Sequence, residues 1–112
     1  MAPVESREAR VARNEAISRE INEGIELSHS PEVPDDVIRM VCECGRPDCD
    51  RLVAVTVGEY EAVRSDPRRF AVVKDHVMAD VEFVVEENAR FIVVEKREGG
   101  AADVAEALDP RA

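Results

Sequence analysis

The chain has 112 residues, of which 45% are apolar, and its formal net charge is −10. A chain of this length predicts one domain whose small core needs support, for example from a metal ion or a disulfide. The excess of acidic groups, with no lysine- or arginine-rich run, argues against nucleic acid as a ligand because it repels a polyanion.

The N-terminal region predicts a helix over residues 6–24. Ile17, Ile21 and Ile25 recur at four-residue spacing, which is typical of the apolar stripe of a helix, and Gly24 is the expected C-cap. The stripe is narrow, so this helix either covers the core of its own domain or docks on a partner. We favour the first, since most amphipathic helices cover their own domain.

Two strands are predicted on either side of a cysteine-rich turn. They follow a loop over 28–36, whose prolines and acidic groups fit neither a helix nor a strand. The sequence "VIRMVC" at 37–42 indicates the first strand. The sequence "LVAVTV" at 52–57 indicates the second, because its side chains alternate between two faces.

A short helix is predicted directly after the second strand. Thr56 and Glu59 have the spacing of a capping box, so the helix is expected to begin at Val57. It is expected to end before Pro67, which cannot continue a helix.

The second half of the chain predicts three more strands. "FAVVKD" at 70–75 indicates one, and 81–97 indicates a hairpin with a turn near 87–90. Residues 98–112 contain glycine, alanine and acidic residues without an apolar stripe, which predicts a flexible tail.

A tyrosine, a phenylalanine and three arginines lie between these elements. Tyr60 and Phe70 are expected to fill the core. The three arginines are expected to cover the acidic surface or to pair with Glu59 and Asp66; they are Arg64, Arg68 and Arg69. A binding patch is the alternative interpretation of the same residues.

All the cysteines lie within "CECGRPDC", at Cys42, Cys44 and Cys49. An odd number of thiols cannot pair as disulfides within one molecule, and three thiols this close are typical of a metal site. Gly45 and Pro47 favour a turn that brings the third cysteine back to the same ion. Three inert buried cysteines would not account for the clustering. We therefore predict one structural zinc ion per chain, with a fourth ligand from elsewhere.

The fourth ligand is expected to be a histidine. His76 follows the third predicted strand and His29 lies in the proline-rich loop, and the residues alone do not separate the two. Asp48 and Asp50 are weaker candidates, because carboxylates complete a three-thiolate zinc site less often. Their charge and that of Glu43 are expected to raise the pKa of the thiols, which argues against a nucleophilic cysteine.

Five features match a pattern shared by other proteins: "ARNEAISREINEGIE" (12–26), "CECGRPDC" (42–49), "EYEAVRSDPRRF" (59–70), His76 and "FVVEENARFIVVEK" (83–96). In these features, which span about residues 12–97, the chain resembles a group of small actinobacterial proteins. The resemblance implies zinc binding with His76 as the fourth ligand. It gives no information about an activity. The histidine of that group lies in a "GHE" setting, whereas this chain has "KDHVM", a departure that concerns the loop rather than the imidazole.

These elements predict an α+β fold for a single domain over residues 1–97. The N-terminal helix is expected to pack on a small four- to five-stranded mixed or antiparallel sheet, with one short helix and a Cys3His metal knuckle. The function expected is that of a non-enzymatic zinc-binding protein that contacts or regulates a protein partner, because a closed ligand set leaves no open position for catalysis.

Two alternative functions use the same Cys3His residues. One is a [2Fe–2S] electron-transfer protein, and the other is a redox sensor that releases zinc on oxidation. The N-terminal sequence is charged and lacks the apolar core of a signal peptide, and apolar runs such as "LVAV" are too short to cross a bilayer. We therefore expect a cytoplasmic protein without a membrane partner, in which the thiols stay reduced.

Overall fold

Three helices and five strands form the described part of the chain, residues 7–28 and 36–111, in the computed structural model. In chain order they are α1 (Arg7–Leu27), β1 (Val37–Val41), β2 (Leu52–Thr56), α2 (Val57–Arg64), β3 (Arg69–Val72), β4 (Glu82–Glu87), β5 (Ile92–Lys96) and α3 (Gly100–Ala107). The predicted α+β class is confirmed. No helix among the described residues is long and apolar enough to span a membrane.

The strands form two antiparallel sheets rather than one. β1 pairs with β2, and the second sheet has the order β3-β5-β4. β4 contains an irregularity between Val84 and Glu86, where its register against β5 shifts. The predicted hairpin is thus present, and its second strand is also the centre of the larger sheet.

The buried face of α1 differs from the predicted one. Ile17 and Ile21 are 55% and 48% exposed, and only Ile25 of the predicted stripe packs against the core. Gly24 lies inside the helix, which continues to Leu27, so its assignment as the C-cap is wrong. The side chains that α1 buries instead are Ala12, Glu15, Arg19 and Asn22.

The second helix begins where its capping box predicts. The Glu59 amide donates to the Thr56 Oγ1 at 3.0 Å, and the Thr56 amide donates to the Glu59 Oε1 at 2.8 Å. These two bonds satisfy amides that have no partner within the helix. The helix carries Tyr60 into the core, where it is 0% exposed.

Arg64, at the end of α2, is buried rather than on the surface, and it pairs with acids other than the expected Glu59 and Asp66. Its Nε donates to the Glu23 Oε1 at 2.7 Å, and its Nη2 bonds to Asp109. Arg68 does lie near the surface, where it pairs with Glu106 at 2.6 Å. The buried arginine therefore ties α1, α2 and the C-terminal residues together.

The C-terminal residues form a helix, which corrects the prediction of a flexible tail over 98–112. Ala101, Ala102 and Ala105 of α3 are buried, and the helix packs against α1 and β5. Alanines give a weak apolar stripe, but their small side chains let α3 approach its neighbours closely.

Candidate metal centre

The predicted ligands come from two loops that the sheets bring together. Cys42, Cys44 and Cys49 lie in the connection between β1 and β2, and His76 lies beyond the end of β3. Their ligand atoms all lie within 4.8 Å of one another. The four residues form a group that could hold a metal ion.

Two sulfur–nitrogen distances within the group fit a single tetrahedral ion. The Cys49 Sγ lies 3.4 Å from the His76 Nδ1, and the Cys42 Sγ lies 3.7 Å from the same atom. In a tetrahedral zinc site with ordinary bond lengths, a sulfur and a nitrogen ligand are about 3.6 Å apart. The distances also identify Nδ1 as the ligand atom, so the neutral imidazole would carry its proton on Nε2.

Each cysteine sulfur also accepts a hydrogen bond from the backbone. The Val73 amide donates to the Cys42 Sγ at 3.3 Å. The Arg46 backbone donates to the Cys44 sulfur, and the Arg51 backbone donates to the Cys49 sulfur. Each donor follows its cysteine by two residues. Such amides offset the negative charge that accumulates when several thiolates bind one ion.

The thiols interact with one another strongly enough to separate their pKa values. A hydrogen bond from the Cys42 thiol lowers the pKa of Cys44 to about 5, despite its burial. The same hydrogen bond and burial raise the pKa of Cys42, and burial raises the pKa of Cys49. The prediction that acidic neighbours would raise every thiol pKa is therefore wrong for Cys44. Metal binding must displace the remaining thiol protons, so metal affinity would depend on pH.

Gly45 gives the cysteine loop its tight turn against α1. Its φ of +74° lies in the left-handed region that favours glycine. A Cβ at this position would lie 2.5 Å from the Val11 carbonyl oxygen and 2.6 Å from the Glu15 Cγ. The Asn14 Nδ2 donates to the Gly45 carbonyl at 3.1 Å, which fixes the loop to the helix.

Glu43, between the first two cysteines, has a role that its charge did not predict. Its side chain is 0% exposed and accepts hydrogen bonds from Tyr60 and Asn22. Burial raises its pKa, against the effect of these bonds. The sequence contains a weak signal for this role. An acidic residue between two buried metal ligands is itself buried, and a buried carboxylate needs hydrogen-bond partners.

The two aspartates considered as ligands do not join the group. Asp48 and Asp50 are exposed, and no carboxylate belongs to the group among residues 7–28 and 36–111. His29 lies outside the described residues. Of the candidates within the described residues, His76 completes the set.

No protein-family model, curated protein or solved structure matches this chain. The resemblance to the actinobacterial group therefore stays a prediction.

Proposed function

We propose that the protein binds one structural zinc ion through Cys42, Cys44, Cys49 and His76. The observation that carries this proposal is the convergence of four soft or borderline ligand atoms within 4.8 Å. Three thiolates and one imidazole suit zinc, whereas magnesium and calcium prefer oxygen ligands. Zinc would link the β1–β2 loop to the loop after β3. These two loops extend from different sheets.

The ligand set favours a structural ion over a catalytic one. A catalytic zinc keeps one position for water or substrate, whereas four protein ligands close the tetrahedron. Cys42 and Cys44 are also buried, at 5% and 1% exposure. We therefore propose a non-enzymatic role.

A single ion suits this geometry better than a [2Fe–2S] cluster. In such a cluster the four protein ligands are shared between two irons, so ligands on different irons stand apart by the width of the cluster. Here every ligand atom lies within 4.8 Å of every other. This compactness supports zinc over the iron–sulfur alternative.

We also propose that the protein contacts or regulates a protein partner in the cytoplasm. Ile17, Ile21 and Leu27 of α1 are 55%, 48% and 85% exposed, which leaves apolar area for a partner. A reducing compartment would keep the three thiols available for zinc.

Metal analysis of the protein, purified without added metal or chelator, tests the proposal. We expect close to one zinc per chain and no absorption band between 400 and 500 nm. Iron in place of zinc, with absorption in that range, would favour the cluster. A metal-free, fully folded protein would contradict the proposal.

A further inference from the structure

The backbone next to the C-x-C ligand pair is held on both sides by α1. Asn22 binds Val41, the residue before the pair: its Nδ2 donates to the Val41 carbonyl and its Oδ1 accepts from the Val41 amide, both at 2.9 Å. Asn14 donates to the carbonyl of Gly45, the residue after the pair, at 3.1 Å. The two ends of the short ligand segment are thus fixed by one helix.

Glu43 fixes the middle of the same segment. Its Oε2 accepts hydrogen bonds from the Tyr60 hydroxyl at 2.8 Å and the Asn22 Nδ2 at 2.9 Å. Its Oε1 accepts from the Ala71 amide at 3.0 Å, while its own amide donates to the Ala71 carbonyl at 2.9 Å. One side chain therefore connects the ligand segment to α1, α2 and β3.

We propose that Glu43 is a positioning residue of the metal centre, which aims Cys42 and Cys44 at one point before the metal binds. Glu43 lies directly between the two ligands, and both its carboxylate and its amide are held by hydrogen bonds. These bonds fix the backbone from which the two thiols project. This inference rests on the proposed zinc site.

The position requires a carboxylate rather than an amide. The three groups that reach the Glu43 oxygens donate hydrogen bonds, and the Asn22 amide cannot turn over because both of its ends bind Val41. Glutamine would place an NH2 group against at least one of these donors.

Glu43→Gln and Tyr60→Phe test the role at two levels of disruption. The first keeps the shape of the side chain and creates a clash between donors, whereas the second removes one donor and keeps the aromatic ring. Residues that support metal ligands typically change metal affinity by about 10–100-fold when they are altered. Val94→Ala is the control, because Val94 is 0% exposed and its side chain takes no part in the hydrogen bonds of Glu43.

Zinc affinity is measured by competition with a chromophoric chelator, and the Co²⁺ absorption spectrum of each protein reports the ligand geometry. We expect Glu43→Gln to weaken zinc binding by about 10–100-fold and to change the Co²⁺ bands. Tyr60→Phe is expected to weaken zinc binding less, and Val94→Ala to keep the wild-type affinity and spectrum.

The proposal is overturned if Glu43→Gln keeps the affinity and the Co²⁺ spectrum of Val94→Ala. If Glu43→Gln does not fold, Tyr60→Phe decides, and affinity equal to that of Val94→Ala overturns the proposal. A wild-type protein that binds neither zinc nor Co²⁺ would instead contradict the metal site itself. The two failures are therefore distinguishable.

Discussion

Glu15 of α1 and Lys96 of β5 meet in the protein interior, with the Glu15 Oε2 2.5 Å from the Lys96 Nζ. The same ammonium lies 2.6 Å from the Glu82 Oε1, so one cation contacts two buried carboxyl groups. Burial outweighs the attraction of Lys96 and raises the pKa of Glu15 to about 8. The site therefore makes the stability of the protein depend on pH.

Stability is expected to fall as the pH rises through the range between the ordinary pKa of Glu15, 4.5, and its folded value of about 8. In this range the folded protein binds more protons than the unfolded chain, so raising the pH favours unfolding. The stabilisation is fully present below pH 4.5 and is lost above pH 8. We expect Glu15→Gln to abolish this pH-dependent loss of stability, which is on the order of 5 kcal/mol for the wild type.

Urea unfolding of the wild type and Glu15→Gln at several pH values between 4.5 and 9 measures this difference. The exposed Glu20→Gln variant is the control and should run parallel to the wild type. Parallel curves for Glu15→Gln and the wild type would contradict the assignment.

Gly45 and Gly24 predict opposite effects of the same substitution. At Gly45, alanine meets a left-handed backbone and three atoms of α1 closer than 3 Å. We expect Gly45→Ala to cost at least about 2 kcal/mol, from the backbone and the contacts together. At Gly24, inside α1, a Cβ would meet nothing within 4 Å, so Gly24→Ala should stabilise by about 0.5–1 kcal/mol.

The free energies of unfolding of the two alanine variants, measured in urea with zinc present, test this pair. Gly45→Ala should also bind zinc less tightly, because its loop carries Cys44 and Cys49. Equal stability of the two variants would show that the loop does not lie against α1 in this way.

Removal of the metal is expected to destabilise the protein strongly. Structural zinc supplies apparent free energies of about 10–16 kcal/mol in small zinc domains at neutral pH. We expect Cys44→Ser to lose stoichiometric zinc and cooperative thermal unfolding, and a chelator to have the same effect on the wild type. Asp48→Asn, on the exposed side of the loop, should keep both. A Cys44→Ser variant that melts like the wild type would contradict a structural role for the metal.

The ligand group could be predicted because its signals are local. Three thiols within eight residues, and a glycine and a proline beside them, indicate a turn around one ion without knowledge of the fold. His76 needed the additional information of the resemblance, because His29 has an equivalent local setting. The structure brings His76 to the cysteines by placing the end of β3 beside their loop.

The support of the ligand group could not be predicted, because it depends on contacts between distant residues. Glu43 meets Tyr60 17 residues later and Ala71 28 residues later. On α1, the hydrophobic pattern selects Ile17 and Ile21, but the structure buries polar side chains whose partners come from other elements. Periodicity identifies the apolar face of a helix and does not detect a buried polar face.

The sequence predicts a flexible tail where the structure has the helix α3, and variants in this helix distinguish the two. Ala102 of α3 is 0% exposed, whereas the neighbouring Asp103 is exposed. A charged side chain at position 102 would be buried without a partner, so we expect Ala102→Glu to cost about 2–4 kcal/mol in the free energy of unfolding. Asp103→Ala should change it by less than about 0.5 kcal/mol. Urea unfolding with zinc present measures both, and the zinc content shows whether the metal site survives. A flexible tail would leave both variants as stable as the wild type, whereas a helix that packs against α1 makes only Ala102→Glu unstable.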